Sequence, residues 1–128
     1  MGRTPAFQPT EVELAILRIL WELGPSPVRE IHKRLEADRG TNYSTTVKML
    51  SVMLGKGLVR RDEKAQPHVY RPVLSRAQAG KRMLRQLVER VYRGSTMSLV
   101  VQALSSSKAS KQELDEVRKL LDQMEGKS

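Results

Sequence analysis

The sequence predicts a mainly α fold with one small β-hairpin, in which three short helices and the hairpin form an N-terminal domain and a helical region follows. Three observations lead there: apolar residues recur at helical spacing up to residue 57, the period shortens to that of strands between residues 58 and 73, and it returns to helical spacing afterwards. The chain has 128 residues, enough for one compact domain or for a smaller one plus an appendage that borrows its core from a partner.

The first helix opens at Thr10, because Thr10-x-x-Glu13 has the form of a capping box in which each side chain satisfies a backbone N–H. Leu14, Leu17 and Trp21 share a face, and Val12, Ile16, Ile19, Leu20 and Leu23 widen it. Gly24-Pro25 ends the helix. Ser26-Pro27-Val28 reads either as a very short strand or as the cap and first position of a second helix, which carries Ile31 and Leu35 inward and ends near Asp38-Arg39-Gly40. A third helix is expected from about Ser44 to Lys56, with Val47, Leu50 and Leu54 inward and Gly57 at its end.

Residues 58–63 and 68–73 are extended segments joined by Lys64-Ala65-Gln66-Pro67, a hairpin whose prolines suit an exposed ribbon. Ser75-x-x-Gln78 then caps a helix with Ala79, Met83, Leu87, Val88 and Val91 to one side, broken at Gly94. Thr96 to Leu104 reads as a short apolar helix and Ser105-Ser106-Ser107-Lys108 as a linker. Ser110-x-x-Glu113 opens a last amphipathic helix carrying Leu114, Val117, Leu120, Leu121 and Met124. Residues 1–74 are therefore expected to form one domain. Residues 75–128 are read as a dimerisation region, since their apolar stripe lacks a covering layer. A two-fold partner would pack on Met83, Leu87, Val91, Leu99, Val100, Leu104, Leu114, Val117 and Leu121. The alternative is that these helices fold back on the N-terminal domain.

Charge points to a partner. With 23 Lys and Arg against 14 Asp and Glu, the formal net charge is +9, and nucleic acid heads the list of polyanions that such a chain attracts. From Arg39 to Arg71 the net is +5, whereas residues 1–38 sum to −1. Three helices and a hairpin in this order make a winged helix-turn-helix, whose third helix enters the major groove. Helical spacing leaves Thr45, Lys48, Met49, Val52 and Lys56 outward, with Ser44 and Thr46 at the start. Hydroxyls and Lys48 suit base edges or phosphates, and Met49 or Val52 suits a thymine methyl. On the wing, Arg60, Arg61, Lys64, His68 and Arg71 are the candidate DNA contacts.

Other chemistry finds no footing in the sequence. There is no cysteine, which excludes disulfides, thiolate metal sites and a Cys nucleophile. His32 and His68 stand without a nucleophile pattern, and no zinc-protease, Walker or Rossmann motif occurs, so neither an enzyme, a metal nor a cofactor is expected. No apolar run is long enough to span a membrane, and Met1-Gly2-Arg3-Thr4-Pro5 lacks the apolar stretch of a signal peptide, so a cytoplasmic location is expected. Two other uses of these elements stay open: a protein-docking module without sequence-specific DNA binding, and an enzyme subunit that uses the wing for placement. The scarcity of aromatic anchors, with a single Phe, favours DNA over docking.

Particular runs carry a resemblance. Glu13-Leu14-x-Ile16-Leu17-x-Ile19-Leu20-Trp21-Glu22-Leu23-Gly24-Pro25, Val28-Arg29-Glu30-Ile31, Tyr43-Ser44-Thr45-Thr46-Val47-Lys48, Lys56-Gly57-Leu58-Val59-Arg60-Arg61 and Val69-Tyr70-Arg71-Pro72 resemble the penicillinase-repressor family, with its BlaI, MecI and CopY branches. The likeness is strong over residues 7–74 and looser through Ser98-Leu99-Val100 and residues 113–121. It implies a bacterial transcriptional repressor, a homodimer on a palindromic operator with TACA/TGTA-like half-sites. Copper sensing is set aside, because the paired cysteines of that branch are missing. Val52 stands where many relatives carry Arg. The resemblance also implies relief of repression by proteolysis. Relatives are cut at an Asn-Phe bond after Ser-Leu-Val, and here Gln102 and Ala103 occupy that position, with a membrane-bound sensor protease as the implied partner.

Overall fold

The computed structural model describes residues 7–126. The stretch Met1-Gly2-Arg3-Thr4-Pro5, on which the export expectation rests, and the last two residues of the 75–128 region lie outside the described residues. Six helices and one two-stranded antiparallel sheet follow in the order α1 (Glu11–Leu23), α2 (Val28–Arg39), α3 (Tyr43–Lys56), β1 (Val59–Asp62), β2 (Val69–Pro72), α4 (Arg76–Val91), α5 (Thr96–Ser106) and α6 (Lys111–Met124). This is the expected helix and hairpin order, that of a winged helix-turn-helix followed by helices. The chain divides into two compact units, one ending at Arg85 and the other beginning at Gln86.

In the first unit, α1 begins with the capping box: Thr10 N–H donates to Glu13 Oε1 at 2.9 Å and Glu13 N–H donates to Thr10 Oγ1 at 3.2 Å. Ile16, Leu17 and Leu20 of α1, Ile31 and Leu35 of α2, and Leu50 and Met53 of α3 are buried together, with Val59 and Tyr70 of the hairpin against them. Apolar side chains from the three helices and both strands thus meet in one core, the large aliphatic ones each contributing roughly 1.5–3 kcal/mol of transfer free energy.

Both readings of Ser26-Pro27-Val28 hold at once. Pro27 is the N-cap of α2, while Ser26 exchanges two backbone hydrogen bonds with Tyr70, at 3.0 and 2.8 Å. The α1–α2 connection thereby becomes a one-residue third strand and ties the hairpin to the helices. The hairpin register pairs Val59 with Pro72, Arg60 with Arg71, Arg61 with Tyr70 and Asp62 with Val69. Beyond it, Trp21 Nε1–H donates to Leu74 O at 2.9 Å, the Arg76 guanidinium lies 5.9 Å from the Trp21 ring centroid, and Ala79 is buried. The first turns of α4 are therefore part of the first unit's core.

In the second unit, α6 opens with the expected capping box between Ser110 and Glu113. The helix read as ending at Leu104 runs on through Ser105 and Ser106, where the Ser106 hydroxyl folds back to donate to Gln102 O at 2.6 Å. Neither α5 nor α6 has a fully buried residue.

Helix α4 ends in a turn in which Val88 O accepts from Tyr92 N–H at 3.1 Å and from Gly94 N–H at 2.9 Å. Arg93, φ 50°, and Gly94, φ 86°, both have positive φ there, Arg93 being the one such non-glycine among the described residues. A Cβ there costs about 1 kcal/mol. Arg93→Gly is expected to recover about 0.5–1 kcal/mol, seen as a higher midpoint in chemical denaturation, whereas Arg93→Val should lower it.

Candidate nucleic-acid interface

The outward face of α3 starts at a cap that sequence reading missed. Asn42 Oδ1 accepts from Thr45 N–H at 2.9 Å and from Ser44 Oγ at 3.0 Å, which ends the loop and fixes the helix start. Gly57 closes the other end in the left-handed region, φ 77°. Between these caps Ser44, Thr45, Lys48 and Val52 are exposed, as expected.

Two residues of the expected contact set are turned inward, and a third, exposed as expected, is held in an ion pair. Thr46 is fully buried, with Oγ1 2.9 Å from His32 Nδ1 and 3.4 Å from Asn42 O. Met49 is half-buried and packs against the core. Lys56 Nζ donates to Glu13 Oε2 at 2.8 Å, so its ammonium is committed to a carboxylate of α1. The inward turn of Thr46 and Met49 reflects a shift of the buried column of α3. Its fully buried residues are Thr46, Leu50 and Met53; Leu54 packs against the core as expected, and Val47 is exposed. A hydroxyl with internal partners behaves as a core group, and hydrophobicity patterning does not count it as one. The shift adds Tyr43, Val47 and Ser51 to the exposed face.

The pair between Glu13 and Lys56 joins the start of α1 to the end of α3. Glu13 is 1 % exposed. Its burial pushes the carboxyl pKa up, but the Lys56 ammonium and the Thr10 amide and hydroxyl outweigh that and hold it below the ordinary value of 4.5.

On the hairpin, strand alternation sends Val59, Arg61, Tyr70 and Pro72 to one face and Arg60, Asp62, Val69 and Arg71 to the other. Val59 and Tyr70 are buried, which makes theirs the inner face. Arg61 is engaged by the Tyr70 hydroxyl and by Glu63, the latter at 2.9 Å. Arg60 and Arg71 are exposed and directly opposite each other. Among the described residues neither is in an ion pair. Like charges in register destabilise a two-stranded ribbon. Lys64 at the turn is exposed, with its N–H on Asp62 Oδ1 at 3.0 Å. His68 is half-buried and lines, with Arg29, Tyr43, Gln66 and Pro67, an open groove of about 620 Å³ between the hairpin and the start of α2.

Of the residues expected at a dimer interface, Met83, Leu87, Val91, Val100, Leu104 and Leu121 are exposed, and Leu99, Leu114 and Val117 are half-buried. Gln102 and Ala103 are exposed on α5. No helix among the described residues is long and apolar enough to cross a membrane.

Comparison with known proteins agrees with this geometry. The sequence profile of the family described as penicillinase repressor matches residues 9–123, from the start of α1 into α6. The penicillinase repressor of Bacillus licheniformis is 22 % identical over 116 residues, which cover 91 % of this chain and 91 % of that protein. With a match over most of its length to a family of regulators rather than of enzymes, the chain belongs to the penicillinase repressor family.

Proposed function

We propose that the chain is a sequence-specific DNA-binding transcriptional repressor that acts as a homodimer on a palindromic operator. The observation that carries the reading is the in-register pair Arg60 and Arg71 on the solvent face of the hairpin. Two guanidinium groups held opposite each other repel unless a polyanion lies against them, and a phosphodiester backbone supplies that charge. Beside them α3 offers hydroxyls, one unpaired lysine and small apolar groups. That is the mixture with which a helix reads the major groove, and family membership supports it.

Helix and wing then have separable tasks. Lys48→Ala or Thr45→Ala is expected to remove about 1–3 kcal/mol of discrimination between operator and scrambled duplex. Arg60→Ala or Arg71→Ala is expected to weaken both duplexes alike and to reduce the slope of log K against log salt by about one. Titration by fluorescence anisotropy over a salt series checks both. Identical behaviour of the two classes would refute the division. Arg61→Ala is expected to have the smaller effect on DNA, because that side chain is turned to Tyr70 and Glu63.

The exposed apolar side chains of α4, α5 and α6 support a two-fold partner as their cover, since contiguous exposed apolar surface marks an association site. Sedimentation at micromolar concentration tests this, and a monomer there would oppose it. For relief of repression, the bond between Gln102 and Ala103 lies inside α5, so a membrane-bound sensor protease acting there requires that helix to unwind locally first. A DNA-binding role puts the proposed site of action in the cytoplasm, and the lack of a membrane-spanning helix among the described residues is compatible with it.

A further inference from the structure

We infer that His32, on the scaffold helix α2, is the positioning residue that sets the rotation of the recognition helix, and with it which side chains of α3 meet the bases. The inference rests on the DNA-binding reading and extends it to a residue that touches no nucleic acid.

The imidazole of His32 makes two contacts with α3, to residues one turn apart. Nδ1 lies 2.9 Å from Thr46 Oγ1, and the ring meets the Tyr43 ring edge-on, with centroids 5.2 Å apart and planes at 82°. Contacts at positions i and i+3 of one helix fix its axial position and its rotation together, which a single contact cannot do. Thr46 is fully buried and the His32 side chain is 13 % exposed, so water is a poor substitute for either partner. Thr46 Oγ1 also lies 3.4 Å from Asn42 O, and one hydrogen bond joins it to His32 Nδ1, its direction set by the imidazole tautomer, while the ring's Nε2 lies 3.7 Å from Glu36 Oε2 on α2 itself. Asn42 in turn caps α3 through Thr45 N–H. One imidazole thus holds the first turn of α3 through Thr46, Asn42 and Tyr43. That turn and the next carry the exposed Ser44, Thr45 and Lys48.

Angular tolerance is what makes the contact matter. A contacting group has to be held within roughly 0.5 Å and 10–20° of its productive geometry. Neighbouring side chains on a helix are separated by about 100°, so a modest rotation about the α3 axis moves Thr45 and Lys48 off their base edges while leaving the wing cations in place. Loss of His32 should therefore erode base discrimination before it erodes attraction to DNA.

The test uses the full chain, a duplex that the wild type selects from a randomised pool, and a scrambled duplex of the same composition. His32→Ala and Thr46→Val are each expected to lower the ratio of scrambled to selected Kd about tenfold. Kd for the scrambled duplex and the salt slope should stay at wild-type values. The double variant should be no worse than either single one, because both remove the same link. His32→Asn, whose amide nitrogen falls where Nδ1 stood, should restore most of the ratio. His32→Gln, whose amide falls where Nε2 stood, should not. Circular dichroism below the thermal transition confirms that the compared variants are folded, and the near-isosteric Thr46→Val carries the test if His32→Ala unfolds. A folded Thr46→Val or His32→Ala chain with the full ratio and only a lowered Tm would overturn the inference, as would additive effects in the double variant. A wild-type chain that selects no duplex at all would remove the DNA reading first, and this inference with it.

Discussion

Cutting the chain after Arg85 is expected to leave a folded domain that binds operator about 10²- to 10⁴-fold more weakly, with its affinity for unrelated duplex much less affected. The cut keeps every element of the first core, including Ala79 and the contacts of Trp21 with Leu74 and Arg76. What it removes is α5, α6 and the end of α4, whose Leu87, Val91, Val100, Leu104 and Leu121 are exposed. If these residues join two copies, the second half-site is bound from a high effective concentration, and separating the copies forfeits that gain. A cut after Ser75, at the boundary the sequence suggests, would also strip Ala79 from the core and confuse lost pairing with lost folding. Sedimentation paired with anisotropy titration checks the prediction, and a fragment that keeps full operator affinity as a monomer would contradict it.

The second large effect concerns the link between Glu13 and Lys56. Lys56→Met preserves the stem that packs along the protein but leaves a carboxylate, 1 % exposed, with only Thr10 for a partner. Removing one member of a fully buried pair costs about 3–5 kcal/mol. The Lys56 side chain is 48 % exposed, so water can reach its position and the expected loss is about 2 kcal/mol. For a domain of this size that is a Tm lower by roughly 10 °C. The sign of the pH dependence follows from the Glu13 carboxyl being held below 4.5. Its stabilising contribution is complete above that ordinary value and is lost as pH falls through the lower folded-state value. The wild type should therefore lose stability over that acidic range, and its advantage over Lys56→Met should shrink there. Thermal melts at neutral and acidic pH measure both. Operator discrimination by the folded variant should change less than in Lys48→Ala.

Which features could be read from the chain alone follows from how far apart their partners lie. The capping boxes at Thr10, Ser75 and Ser110 were legible because donor and acceptor stand three residues apart, so the sequence spacing is the geometry. The hairpin was legible from its change of period, with Pro67 and the charged turn marking its tip. Helix α3 was found but turned, since its buried column includes Thr46, whose partner His32 sits fourteen residues earlier on another helix. The commitment of Lys56 escaped for the same reason, its carboxylate lying forty-three residues away. Local pattern locates elements, and the packing of one element on another decides which face of each is left for a ligand. Arg60 and Arg71 illustrate the difference: both were candidates by charge, but only the strand register puts them opposite each other and turns Arg61 away.

The single tryptophan of the chain has its indole N–H on Leu74 O and a guanidinium over its ring. Nature has thereby installed an optical gauge at the place where the wing hands over to α4. Should that splice loosen under strain, heat or ligand, the emission of Trp21 would move to longer wavelength as solvent reaches the indole, and the event could be timed in a cuvette without attaching a dye.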